Sequence, residues 1–162
     1  MTPYCILFTI STYSINMEQA QLRETIISFL NNHRKAVFSI LDQDGLPTTS
    51  LMLYVIDDNM NVFFGTRKVF SKYAHLQNNP VVSLSVIEEV IDPLKVVDLR
   101  GDVTELSVDD CNNVHEWFKS KNDSKYYVEG APDFTMFKLV PHFVRWLDAE
   151  SGELSIVDLK QI

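Results

Sequence analysis

The sequence predicts a mainly β fold, a small antiparallel barrel that is closed or nearly closed, with short helices at its periphery. Three observations carry this reading. Short apolar stretches recur between turn signals such as Asp42-Gln43-Asp44-Gly45, Asp57-Asp58-Asn59 and Asp92-Pro93. The stretches follow in meander order, without the helix between most strands that a parallel α/β sheet needs. Gly101 interrupts one long stretch, and bending at a glycine is how sheets close.

The elements follow in order. Asn16 and Gln19 have the spacing of a capping box, and Leu22, Ile26, Phe29 and Leu30 follow at helical spacing. This predicts a helix over residues 17–32, with His33, Arg34 and Lys35 suited to its negative end. Residues 36–41, 47–56 and 61–65 read as three strands. Residues 69–77 read as a short helix stopped by Asn79-Pro80. Residues 81–87 and 95–106 give two more strands. Ser107 with Asp110 caps a helix whose apolar face is Cys111, Val114, Trp117 and Phe118. Residues 119–130 read as a loop with a helical turn at Tyr126-Tyr127. Residues 134–140 and 142–147 read as two strands parted by Pro141, and a last short strand closes the chain.

Composition narrows the function. The chain has 162 residues, 46% hydrophobic and 22% charged, as expected of one globular domain. Residues 17–162 form that domain. Residues 1–16 read as a loose tail, or as a stretch upstream of a true start at Met17. The formal charge of −8 argues against nucleic acid and against an anionic membrane surface as partner. No apolar run is long enough to span a membrane. Cys5 and Cys111 form no disulfide framework and no CxxC metal motif. Cys111 and His115 share a helix face, yet a helical cysteine is more often plain core, and no metal is expected. A cytoplasmic protein is the expectation.

Against this acidic background one corner is rich in donors. Phe63-Phe64-Gly65-Thr66-Arg67-Lys68-Val69-Phe70-Ser71-Lys72 runs from the end of a strand into a helix. It gathers two hydroxyls, three cations and the open amides of a helix start, which together suit a phosphate. A solvated loop is the alternative reading of the same residues. His75 receives no role, and packing accounts for Trp117.

The order of these motifs resembles the pyridoxamine 5′-phosphate oxidase-like, FMN-binding split-barrel family. The resemblance spans residues 18–148. It rests on Ala36-Val37-Phe38-Ser39-Ile40-Leu41-Asp42-x-Asp44-Gly45-x-Pro47, on Phe63-Phe64-Gly65-Thr66 through Ser71-Lys72, on Leu76-x-x-Asn79-Pro80 and on Phe137-Lys138-Leu139-x-Pro141-x-x-Val144-Arg145-Trp146. It implies a six-stranded split barrel, a homodimer and FMN at the dimer interface. Thr66, Arg67, Lys68, Ser71 and Lys72 would hold the phosphate. Thr49, Ser50 and Leu51, with Thr48, would line the flavin ring edge. The resemblance implies an oxidoreductase acting on a small molecule, with no catalytic acid or base identifiable; Tyr54 and Tyr73 are candidate donors. A non-catalytic flavin or haem carrier, a stress-associated protein and a deazaflavin-dependent reductase are the alternatives. True pyridoxamine phosphate oxidases carry an Arg and a Lys where Thr49 and Tyr54 stand here. They also end in a basic segment that this chain does not show, so pyridoxamine phosphate is not the expected substrate.

Overall fold

Alternation along the strands builds the barrel. Phe38 and Ile40, Met52, Tyr54 and Ile56, Val62 and Phe64, and Val82, Leu84 and Val86 all lie at every second position and are buried in one core. A computed structural model describes residues 12–123, 131–157 and 159. The strands are β1 (Lys35–Leu41), β2 (Pro47–Ile56), β3 (Val62–Arg67), β4 (Val81–Ile87), β5 (Lys95–Glu105), β6 (Phe134–Asp148) and β7 (Glu153–Val157). All pairings are antiparallel. The order β3-β2-β1-β4-β5-β6-β7, with β3 also paired to β6, closes β1 to β6 into a barrel and leaves β7 outside on β6. The predicted mainly antiparallel β-barrel is the observed fold.

Turn chemistry matches the sequence. Asp42 Oδ1 accepts from the amides of Asp44 and Leu46, both at 2.9 Å, and Gly45 takes φ +76°. Asp57 repeats the device on Asn59 and Asn61.

Two helices cover the ends and one covers a side. Helix α1 (Thr12–Asn32) buries Ile26, Phe29 and Leu30 in the barrel core, and Phe29 meets Trp146 edge-on at 5.1 Å. It begins before Asn16, so the Asn16–Gln19 pattern does not mark its start; such a pattern is local and recurs inside helices. Residues 1–11 lie outside the described residues. Helix α2 (Ser71–Asn78) buries Leu76. Helix α3 (Val108–Lys121) packs Phe118, with Cys111, Val114 and Trp117, on Val55, Phe63 and Met136 of the outer barrel wall. Ser107 caps it as predicted, its Oγ accepting from the Asp110 amide at 3.1 Å. Tyr126 and Tyr127 lie outside the described residues.

The prediction of two strands parted by Pro141 is corrected. β6 runs unbroken through Pro141, which faces Gly101 while Arg100 faces Phe143. His142 is the extra residue of the resulting bulge, and the buried positions shift from Phe137 and Leu139 to Val144 and Trp146. Gly101 makes this possible. A Cβ there would stand 2.1 Å from the Val140 carbonyl oxygen.

Candidate functional site

The barrel opens at one place. β2 and β3 pair only through Tyr54, Val55 and Ile56 with Phe64, Phe63 and Val62. Beyond that, Gly65, Thr66 and Arg67 pair with β6, while residues 47–53 of β2 pair with β1. The two strands part, and the chain leaving β3 turns into α2 across the opening. Gly65 sits on this divergence because the Phe134 ring lies where a side chain would go; a Cβ would stand 2.2 Å from its Cζ.

Lys72, in the first turn of α2, reaches back across the opening. Its Nζ donates to Ser50 Oγ at 3.2 Å and lies 2.9 Å from Met52 Sδ, both on β2. No carboxylate among the described residues pairs with it. Burial holds its pKa below the ordinary lysine value. Thr66 is buried at the end of β3, and its Oγ1 has no hydrogen-bond partner among the described residues. Such an orphaned hydroxyl carries a desolvation cost that a bound ligand would relieve. Helix α2 starts at Ser71 after Phe70, which supplies no side-chain cap. Of its first amides, that of Tyr73 donates to the Phe70 carbonyl at 3.0 Å, and those of Ser71 and Lys72 lie where a helix offers no internal acceptor.

The other two cations are already matched. Arg67 Nε donates to Asp133 Oδ2 at 2.8 Å. Lys68 Nζ lies 3.0 Å from Glu105 Oε1, and this contact holds the ammonium pKa up. Glu105 also accepts from Tyr73 Oη at 3.0 Å, Gln77 Nε2 at 2.9 Å and Thr135 Oγ1 at 2.9 Å. Burial works to raise the Glu105 pKa, but the hydrogen bonds from Lys68, Thr135 and Tyr73 outweigh it and the net shift is down. Nothing in the sequence marked Glu105 or Asp133 as partners, because each meets its cation only through β-sheet closure.

The predicted ring-edge residues divide between two faces. Ser50 lies on the Lys72 side, whereas Thr49 and Leu51 are exposed on the outer wall, Leu51 at 66%. Tyr54 is no free donor. It is fully buried, its hydroxyl donates to the Leu30 carbonyl at 2.8 Å, and burial pushes its pKa up. The inward phase of β2 dictates this. Tyr73 is spent on Glu105.

Outside β2 runs a groove with a volume of about 1090 Å³. Its lining includes Phe29, Leu51, Leu53, Gly65, Phe118 and Phe134, together with His33, Arg34, Lys35, Glu88 and Lys95. Beside it the outer barrel face carries a cross-strand row, Leu51, Val37, Ser85, Asp98, Arg145 and Ile156. Leu51, Val37 and Ile156 are exposed apolar members; Ser85 and Arg145 both donate to Asp98 at its centre. Among the described residues, no helix is long and apolar enough to cross a membrane.

The family model for pyridoxamine 5′-phosphate oxidase matches residues 22–147. No curated protein sequence gives a match. Solved structures do. A putative pyridoxamine 5′-phosphate oxidase from Listeria innocua is 18% identical, with a TM-score of 0.65 over 78% of this chain and 98% of that one. General stress protein 26 from Bacillus anthracis is 19% identical, with a TM-score of 0.65 over 83% and 98%. A heme-binding protein from Mycobacterium smegmatis is 18% identical, with a TM-score of 0.71 over 88% and 58%. At such identities these likenesses establish the fold.

Proposed function

The chain belongs to the pyridoxamine 5′-phosphate oxidase family, and from that premise we propose that it is an FMN-binding flavoprotein, an oxidoreductase acting on a small molecule. The observation that carries the reading is Lys72, a half-buried ammonium with no acid partner among the described residues, held across the gap between β2 and β3. A phosphate dianion supplies the missing charge. The buried Thr66 hydroxyl gains an acceptor in the same event, and Ser71 and the α2 amides add donors. Arg67 and Lys68 stand at the rim, tied to Asp133 and Glu105, and contribute less.

When bound, FMN supplies hydride or electron transfer; the protein binds, orients and shields it. Ser50 and Leu51 flank the opening, one on each face of β2, and line the ring edge together with Thr49. The exposed outer row around Val37 and Leu51 supports a homodimer in which two equivalent sites form across a two-fold axis.

Purified protein with flavin absorbance, and FMN released from it, supports the reading. Lys72→Ala weakens FMN binding by about 1.5–3 kcal/mol, the range for a hydrogen bond to a charged group. Unchanged affinity in a fluorescence titration removes the phosphate assignment. A Soret band instead of flavin absorbance favours the haem-carrier alternative, and a deazaflavin spectrum the third. Sedimentation as a monomer would refute the dimer.

A further inference from the structure

The cations along the groove outside β2 are not equivalent. Lys35 pairs with Glu89 at 3.1 Å, and His33 Nε2 lies 3.3 Å from Glu88. Lys95 lies within 3.7 Å of Asp148 and 3.6 Å of Glu150. Arg34 is the exception. Its guanidinium is exposed, lines the groove and donates to the backbone carbonyl of Asp123 at 3.1 Å. No carboxylate among the described residues pairs with it, although Asp123 lines the same wall.

Lys121 reinforces the charge. Its Nζ donates to the Leu30 carbonyl at 2.9 Å and sits 4.3 Å from the centre of the Tyr54 ring. Burial first, and the Arg34 charge second, lower its pKa to about 8. Two cations thus stand together at the end of α1 in a chain of net charge −8.

Helix capping explains one of them. His33 Nδ1 donates to the Phe29 carbonyl at 2.7 Å and Lys121 to that of Leu30, so these last carbonyls of α1 have their side-chain donors. Arg34 takes none of these carbonyls. Its planar fork shares the groove with the apolar side chains of Phe29, Leu51, Leu53, Phe118 and Phe134. Carboxylates and phosphates are the groups that such a fork binds with two parallel hydrogen bonds; the phosphate proposed above is assigned to Lys72, and a carboxylate is the simpler anion for a groove with this much apolar lining.

We propose that the groove binds a small molecule with an aromatic or apolar body and a carboxylate, the carboxylate held by Arg34. Leu51 belongs both to this groove and to the strand assigned to the flavin ring edge. The occupant therefore lies where a substrate of the flavin would lie; that role, though not the binding itself, rests on the proposed function.

The test is calorimetric titration of the purified protein with naphthalene carboxylate and with its neutral carboxamide. The expected result is a carboxylate preference of about tenfold or more, the equivalent of one charge-assisted hydrogen bond. Arg34→Gln reduces the preference to about twofold or less, whereas Arg100→Gln, which removes a cation outside the groove, stacked on Phe143, retains it. No preference in the wild type overturns the proposal, and that arm needs no variant to fold. So does a preference that survives Arg34→Gln, or one that both variants diminish equally. FMN affinity is measured in the same samples. A preference without FMN binding leaves this site standing and removes the flavin reading; FMN binding without a preference does the reverse.

Discussion

β3 has two seams, and they treat their cations in opposite ways. Toward β6 the seam is closed over all of Val62 to Arg67, and the cations beside it, Arg67 and Lys68, meet Asp133 and Glu105. Toward β2 the seam stops at Phe64, and the cation that bridges it, Lys72, meets a hydroxyl and a thioether and no carboxylate among the described residues. A closed seam has carboxylates at hand because neighbouring strands bring them. An open seam leaves a desolvated charge that only a ligand can satisfy. Charge content alone therefore does not separate these cations; what they meet inside the fold does.

The other edge of β6, closed against β5 at Gly101 and Pro141, breaks with the largest effect. Gly101→Ala places a methyl group against the Val140 carbonyl, which is backbone and cannot swing away. Chemical denaturation should show a loss of about 3 kcal/mol, at the upper end for overpacking. A loss indistinguishable from zero would mean that the bulge at His142 adjusts freely.

Acid sharpens the contrast next. The folded-state pKa of Glu105 lies below the ordinary value of 4.5. Its stabilisation is therefore present above that value and is lost as pH falls through the folded pKa. Glu105→Gln should flatten the acid limb of a denaturation-midpoint profile taken from about pH 6 to about pH 3, the window in which a carboxylate titrates. An unchanged limb would remove Glu105 as the acceptor hub. The smallest effect is expected at Lys68. With its charge already spent on Glu105, Lys68→Ala should leave FMN affinity within about twofold, as for an exposed ion pair. A loss as large as that of Lys72→Ala would erase the distinction between the seams.

Much of the barrel was legible in the residues. The Asp42 and Asp57 turns, the Ser107 cap, the Asn79-Pro80 stop and the bend at Gly101 are local chemistry, and local chemistry is readable along a chain. Pro141 reads as a break along the chain, yet the strand tolerates it because of Gly101, a cross-strand partner forty residues earlier. The donor-rich corner was also visible, and the structure turns Lys72 of that corner back onto Ser50 and Met52 of β2. What the chain could not display was which donors are already occupied. Asp133 and Glu105 reach Arg67 and Lys68 only after β3, β5 and β6 meet, and the inward phase of β2 alone takes Tyr54 out of the site. In the sequence Arg34 is one of three basic residues at the helix end; the pairing of its neighbours sets it apart.

Competition between FMN and riboflavin isolates the phosphate, because the two ligands share the ring and the ribityl chain. Wild-type protein should prefer FMN by about tenfold to a hundredfold, the worth of a charge-assisted contact, and Lys72→Ala should bring the two affinities nearly level. Equal affinity for both flavins in the wild type, or a preference that persists without Lys72, would contradict the assignment of the open seam as the phosphate site.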